Sequence, residues 1–346
     1  EPQFGWYDGR INGIQVEGDL GELNVGGKLG DLRVTGQAGV ITVNADGRRK
    51  SGQWEGVMGL VWAQNGIDEI HVGDGLADDG GADRPVAGIF STGHIGGVYI
   101  EGPYAERDGR QFGQLNGSIL GSSIGEVIGT DGARLSAIVA GAELDWFLVT
   151  KFDSFMHTGA IDLIDFSGAG SGIDYSMIAG TTIGSVLTSE DSQGIQHTNI
   201  SANRPQPNMP VIEEIVGGGV GLYDVVVDVQ GGSIGSVRSI GPEADIDWCS
   251  FYSADGMEEL ISARDIVDID MHMPGTVGVV SAVRDIIGTS IFDNTSRVGA
   301  IGTVTAGRDF KNVSYFVAGE IGSLRVNRDF VDSYLTLQGP AVANLQ

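Results

Sequence analysis

Four consecutive nine-residue repeats fill residues 11–45, and this regularity constrains the fold more than any other feature of the sequence. They read INGIQVEGD, LGELNVGGK, LGDLRVTGQ and AGVITVNAD. The apolar residues at positions 4 and 6 alternate with polar ones, which is the period of a β-strand, and the valine at position 6 favours strands. Glycine at position 8 of most repeats supplies the backbone angles that a tight bend needs. Each repeat is therefore predicted to form a short strand followed by a corner.

A longer repeat of 20 residues occupies the C-terminal part, where residues 301–320 align without a gap with residues 321–340. The aligned columns predict a shared core that consists of Ile301, Val304, Phe310, Ile321, Leu324 and Phe330. Arg-Asp pairs also recur, at 264/265, 284/285, 308/309 and 328/329. Stacked coils lie ~4.8 Å apart, so these pairs should form two adjacent columns. They are interpreted either as a corner in which Asp caps backbone N–H groups and Arg neutralises it, or as a charged strip that binds ligands or cations.

The first half of the long repeat is an apolar residue, then glycine or an acid, then any residue, then a second apolar residue, and it recurs through the middle of the chain. It begins at Ile67, Ile95, Ile124, Ile161, Ile183, Ile212 and Ile234. A second strand is predicted after several of these units, in the segments LDWF, IDYS, IDWC, VSYF and SYL. One turn of the structure is therefore expected to use two or three strands.

Short strands, tight corners and no amphipathic helix in any unit predict a parallel solenoid rather than a βαβ fold or a propeller. The predicted fold class is all-β, a right-handed parallel β-helix (β-solenoid) of about 12–14 coils. Residues 1–346 are predicted to form a single domain. Its parts are nonapeptide coils at 11–45, irregular coils with loops at 46–256, and regular coils of 20–24 residues at 257–340. Residues 46–66 and 196–212 are predicted to protrude as loops.

The IGSV, IGTV, RDF and GEIGSL segments resemble those of the right-handed parallel β-helix. Within that fold they resemble the Gly-rich repeats of large secreted bacterial and archaeal surface proteins. This resemblance implies an extracellular or cell-surface location. It does not decide function, because pectate lyases, phage tailspikes, adhesins and surface-layer proteins all share the architecture.

The net charge of −26 excludes whole classes of partner. Nucleic acid and anionic lipid would both be repelled, so neither is predicted to bind. No apolar run reaches the ~18 residues that a spanning helix needs, so no membrane span is predicted. The single cysteine, Cys249, excludes an intrachain disulfide and a cysteine-based zinc site.

The segment DGLADDGGAD at 74–83 is the candidate metal site. Carboxylates close in sequence with glycines between them can wrap a Ca²⁺ ion. The ligands would be Asp74, Asp78, Asp79 and Asp83. The alternative is a solvated acidic loop. Calcium is the one cofactor considered, and no other is predicted.

Acidic residues followed directly by aromatic ones mark a candidate glycan-binding face. Aromatic rings stack on sugar rings, and carboxylates accept hydrogen bonds from hydroxyl groups. The pairs are Asp145 with Trp146, Asp174 with Tyr175, and Asp247 with Trp248. The alternative is a column of aromatic side chains that pack between coils.

Four Asn-x-Ser/Thr sequons are candidate glycosylation sites. They begin at Asn116, Asn199, Asn294 and Asn312. Surface glycosylation would fit an extracellular protein.

No catalytic residue is assigned, because the histidines lack metal-binding spacing and no acid pair stands out among 46 acidic residues. The predicted function is therefore an extracellular structural protein of a cell-surface or filamentous assembly, a homo-oligomer that self-associates through β-helix ends or faces. The first alternative is a polysaccharide lyase or glycoside hydrolase of the β-helix type. The second is a glycan-binding adhesin or tail-fibre segment, whose partner would be a polysaccharide.

Overall fold

Consecutive nonapeptides lie in two different sheets, so two repeats make one coil of the structure. In the computed structural model Ile14 pairs with Leu32, and Leu23 pairs with Ile41, so the partners are two repeats apart. All these pairings are parallel. The prediction of one short strand and one corner per repeat is confirmed, and the corner is where the chain crosses from one sheet to the other.

The structure describes residues 3–7, 11–43, 59–73, 88–101, 105–107, 110–112, 118–130, 137–140, 159–169, 171–174, 176–203, 210–291 and 299–337. The chain divides into two compact units, Glu1–Thr181 and Thr182–Gln346. The described residues contain no α-helix. Both units are built from parallel sheets of successive coils, so the chain is an all-β parallel β-helix.

The first unit has two parallel sheets, called here sheets 1A and 1B. In spatial order sheet 1A consists of β1 (Gln3–Tyr7), β3 (Leu20–Val25), β5 (Gln37–Val43), β7 (Gly66–Val72), β9 (His94–Glu101), β13 (Ser123–Thr130) and β15 (Ala160–Asp165). Sheet 1B consists of β2 (Ile11–Val16), β4 (Leu29–Val34), β6 (Leu60–Ala63), β8 (Gly88–Ser91), β12 (Ser118–Gly121), β14 (Ala137–Ala140) and β17 (Met177–Gly180). The remaining strands are the antiparallel pair β10 (Ala105–Arg107) and β11 (Arg110–Phe112), and the short β16 (Ile173–Asp174).

The second unit has three parallel sheets, 2A, 2B and 2C. Sheet 2A consists of β18 (Thr182–Leu187), β21 (Pro210–Gly217), β24 (Ser233–Ser239), β27 (Gly256–Ser262), β30 (Thr276–Ala282), β33 (Ala300–Ala306) and β36 (Ile321–Val326). Sheet 2B consists of β20 (Asn199–Asn203), β23 (Val226–Gln230), β26 (Ser250–Ser253), β29 (Asp270–His272), β32 (Ser290–Ile291), β35 (Ser314–Val317) and β38 (Tyr334–Leu337). Sheet 2C consists of β19 (Ile195–Gln196), β22 (Gly221–Tyr223), β25 (Asp245–Asp247), β28 (Ile266–Val267), β31 (Ile286–Ile287), β34 (Phe310–Lys311) and β37 (Phe330–Val331). Each coil therefore runs through sheets 2A, 2C and 2B in that order.

The apolar columns read from the sequence form the core. The seven isoleucines that begin the middle units are all buried in sheets 1A and 2A. In the last two coils Ile301, Phe310 and Leu324 are completely buried, as predicted. The prediction is wrong for Phe330, which is 47 % exposed because no described coil covers it.

The glycine of the recurring apolar-glycine motif lies where one coil passes close above the previous one. A Cβ atom on Gly302 would lie 2.4 Å from the carbonyl oxygen of Gly278, and one on Gly322 would lie 2.7 Å from that of Gly302. A side chain there would push successive coils apart. The motif therefore maintains coil spacing.

Two sequence predictions about segments are corrected. IDWC and VSYF were predicted to form the same strand of each unit, but β25 lies in sheet 2C and β35 in sheet 2B. Residues 46–66 and 196–212 were predicted to be loops, but they include β6 and β20. The Gly and Pro residues near these segments suggested loops. Alternating buried apolar residues, such as Val61 and Ala63, instead favour a strand.

Within the described part of the chain, no helix has the length and apolar character needed to cross a membrane.

Candidate functional site

The Arg-Asp columns form a hydrogen-bonded ladder at the corner between sheets 2A and 2C. The Asp265 N–H donates to Asp245 Oδ1 (2.9 Å), the Asp285 N–H to Asp265 Oδ1 (2.9 Å), and the Asp309 N–H to Asp285 Oδ1 (3.0 Å). Each carboxylate thus accepts the backbone N–H of the equivalent residue one coil further along. The interpretation that Asp caps backbone donors at this corner is confirmed.

Arginines on the next coil neutralise these buried carboxylates. Arg284 lies 3.5 Å from Asp265, and Arg308 lies 3.4 Å from Asp285. At the last rung Arg328 donates two hydrogen bonds to Asp309, and Lys311 donates a third. These bonds hold the pKa of the Asp309 carboxyl well below its usual range. Each of these carboxylates is thus paired with an arginine of the next coil, and the ladder stabilises the corner.

A column of left-handed residues forms the next corner, between sheets 2C and 2B. Positive φ angles occur at His197, Asp224, Trp248, Asp268, Gly288, Asn312 and Asp332. Asp, Asn and Gly adopt this conformation at little cost, whereas a bulky residue is strained there. Trp248, with φ 55°, is therefore the unusual member of the column.

Asp247 and Trp248, one of the predicted glycan-binding pairs, occupy this second corner. Trp248 is 60 % exposed. Asp247 ends β25 and lies in register between Tyr223 and Val267. Its Oδ1 is buried without a hydrogen-bond partner among the described residues. Burial, together with the charges of Asp268 and Asp245, raises the pKa of Asp247.

Most other predicted site residues lie outside the described part of the chain. They are Asp74, Asp78, Asp79, Asp83, Asn116, Asp145, Trp146, Tyr175 and Asn294. Asp174 ends β16. Asn199 and Asn312 are both exposed. The calcium, glycan and glycosylation assignments remain predictions.

A cluster that sequence reasoning missed lies on the outer face of sheet 1A. The rings of His71 and Tyr99 stack with centroids 4.5 Å apart, and His71 Nε2 lies 3.1 Å from Glu69 Oε2. The Tyr99 hydroxyl donates to Glu126, and this bond, with burial and the charges of Glu126 and Glu69, raises the pKa of Tyr99 to about 12. A phenol with such a pKa stays protonated at neutral pH, so the cluster is a row of paired polar groups. The sequence signal that could have revealed this cluster is the outward-facing position that its four residues share on neighbouring strands.

The last described coil carries exposed apolar side chains. Phe330 is 47 %, Val331 40 % and Tyr334 71 % exposed. Phe330 continues the column of Ile286 and Phe310, both completely buried. Within the described residues, β36, β37 and β38 each pair with one neighbouring strand only. This coil therefore presents both apolar surface and unpaired strand edges.

Among the described residues, no group of three or more His, Cys, Asp or Glu side chains is arranged to hold a metal ion. Comparison of the chain with protein-family models, with curated proteins and with solved structures finds no match.

Proposed function

We propose that the protein is an extracellular structural protein that self-associates through the last described coil of its β-helix. The observation that carries this proposal is the exposure of Phe330 in a column that is otherwise fully buried. The strand edges of β36, β37 and β38 add backbone donors and acceptors that a further coil would pair with. A single surface thus offers hydrophobic area and directional hydrogen bonds together.

The distribution of charge along the chain favours association through residues 299–337. Residues 299–337 contain four basic and four acidic residues, so they contribute nothing to the net charge of −26. The repulsion between like-charged chains therefore arises elsewhere. Salt or divalent cations should promote association, because they screen that repulsion.

The partner that fits is the first coil of another copy. β36 and β38 can pair with β1 and β2 of a second chain in the parallel mode seen throughout the sheets, whereas no described strand before β16 is equivalent to β37. A contact between two different surfaces is heterologous, so it grows into a filament instead of closing as a dimer.

Sedimentation velocity and negative-stain microscopy test the proposal. Wild-type protein should form filaments or large oligomers as protein and salt concentrations rise. Val326→Arg places a charge on the last coil and should block growth. Val283→Arg is the matched control, because Val283 is 65 % exposed at a corner of an interior coil, and it should assemble as wild type does. Thermal unfolding should show that both variants remain folded.

A wild-type chain that stays monomeric at high concentration, in high salt and with calcium would overturn the proposal. Equal loss of assembly in both variants would show that the last coil is not the contact surface.

A further inference from the structure

Trp248 contributes little to the stability of the fold at the position it occupies. Its side chain is 60 % exposed, so it buries little apolar area. Its φ of 55° lies in the left-handed region, where equivalent corners hold Asp224, Asp268 and Asn312. Any of those residue types would be less strained there. A large aromatic held exposed in a strained position leaves part of its ring available to a ligand.

Aspartates occupy the corner positions directly before and after that of Trp248. The Asp224 N–H donates to the carbonyl of Asp247 (3.0 Å), and the Trp248 N–H donates to that of Val267 (3.1 Å), so successive corners stack directly. This stacking places Asp224 and Asp268 on either side of Trp248 at about one coil spacing, ~4.8 Å along the axis. Both side chains are exposed.

Asp247 shows that part of this negative charge lacks a partner among the described residues. Its Oδ1 is buried and has no hydrogen-bond partner among the described residues. Burial first, and then the charges of Asp268 and Asp245, raise its pKa. Within the described part of the chain no ion pair involves Asp224, Asp247 or Asp268, in contrast to the paired carboxylates of the Arg-Asp ladder. A cation placed here would relieve the repulsion.

We propose that the corner patch, formed by Tyr223, Asp224, Asp247, Trp248 and Asp268, binds a polysaccharide that carries free amino groups. The ammonium group pairs with the carboxylates and with the face of the indole, which is the best side chain for cation–π contact. The apolar face of a sugar ring stacks on the aromatic surface. Tyr223, 37 % exposed on the preceding coil, offers a second ring for a neighbouring sugar unit. Acidic polysaccharides are repelled by the same carboxylates. This inference is independent of self-association.

Isothermal titration calorimetry with a glucosamine hexamer at mildly acidic pH tests the proposal. The N-acetylglucosamine hexamer, which has the same rings without the charges, and hexalysine, which has the charges without the rings, are the comparison probes. The glucosamine hexamer should bind at least about tenfold more tightly than either, and high salt should weaken it.

Trp248→Asn is the decisive variant, because Asn312 already occupies the equivalent corner. It should lower affinity by about tenfold or more and leave the melting temperature unchanged or higher. Asp247→Asn should also weaken binding, and should raise the melting temperature at neutral pH because it removes a partly buried charge. Val283→Asn, which alters an exposed apolar residue outside the patch, should bind as wild type does.

Three results would overturn the proposal. Equal affinity for the N-acetylated hexamer would show that the ammonium group does not contribute to binding. Equal affinity for hexalysine would show that the sugar rings do not contribute to binding. Undiminished binding by a folded Trp248→Asn variant would place the site elsewhere.

Discussion

The ring of Phe330 stacks on that of Phe310 with centroids 5.1 Å apart and planes 13° apart, yet Phe310 is completely buried and Phe330 is 47 % exposed. The two residues occupy the same position of successive coils. Within the described residues, a further coil covers the far side of Phe310, and none covers that of Phe330. A β-helix coil thus completes its core only when the next coil covers it.

This difference predicts unequal costs of truncation. Phe310→Ala should lower the free energy of unfolding by ~3–5 kcal/mol, because it leaves a cavity in a closed core. Phe330→Ala should cost less than about 2 kcal/mol at low protein concentration, because half of the side chain already contacts water. Urea denaturation measures both. Equal costs would mean that Phe330 is covered in solution.

The Asp ladder predicts a distinction between two substitutions at Asp285. Asp285→Ala removes the acceptor of the Asp309 N–H and should cost ~1–3 kcal/mol, because a buried donor loses its partner. Asp285→Asn retains an oxygen that can accept this bond, so it should cost less. Denaturant titration of both variants provides the measurement. Equal losses of stability in the Ala and Asn variants would show that the ion pair with Arg308 stabilises this corner and that the cap on the Asp309 N–H does not.

Much of this fold can be predicted from the sequence because the repeats place equivalent residues at equal intervals. The columns of Ile301, Val304 and Leu324 are examples, and so is the capping role of the Arg-Asp corner. Local pattern suffices here because neighbouring coils impose the same environment on each repeat.

Features that depend on coil length could not be predicted. Tyr99 and Glu126 are 27 residues apart and meet because β9 and β13 pair in a register that places Ile128, two residues after Glu126, opposite Tyr99. Strands of two residues, such as β28, carry no periodicity to detect. The strain at Trp248 became visible only once its corner aligned with those of Asp224 and Asp268.

The buried hydroxyl of Tyr315 predicts a stabilising substitution. Tyr315 is 1 % exposed, and its hydroxyl has no hydrogen-bond partner among the described residues. Its ring packs edge-to-face on Phe310 with centroids 5.6 Å apart, a contact that phenylalanine would preserve. Tyr315→Phe should therefore raise the free energy of unfolding by ~1–3 kcal/mol, the cost of an unsatisfied buried polar group. A loss of stability in urea denaturation would show that the hydroxyl has a partner in solution.

The last rung of the ladder predicts how stability depends on pH. Hydrogen bonds from Arg328 and Lys311 lower the pKa of Asp309 in the folded state, whereas an unfolded Asp titrates near ~3.9. The folded protein therefore binds the proton less readily than the unfolded chain does. The resulting stability is fully present above about pH 4 and is lost as the pH falls further, towards the folded-state pKa. Asp309→Asn should thus be less stable than wild type at neutral pH, and the difference should shrink below about pH 4.

Asp329→Asn is the control for this pH dependence. Asp329 contacts the same arginine, with Arg328 Nε 3.5 Å from its Oδ2, but its side chain is 60 % exposed. Exposed ion pairs contribute ~0–1 kcal/mol, so this variant should follow the wild-type curve at every pH. Urea denaturation at a series of pH values between neutral and about pH 3 compares the three proteins. A gap between wild type and Asp309→Asn that stays constant across that range would show that the Asp309 charge does not supply the stability of this rung.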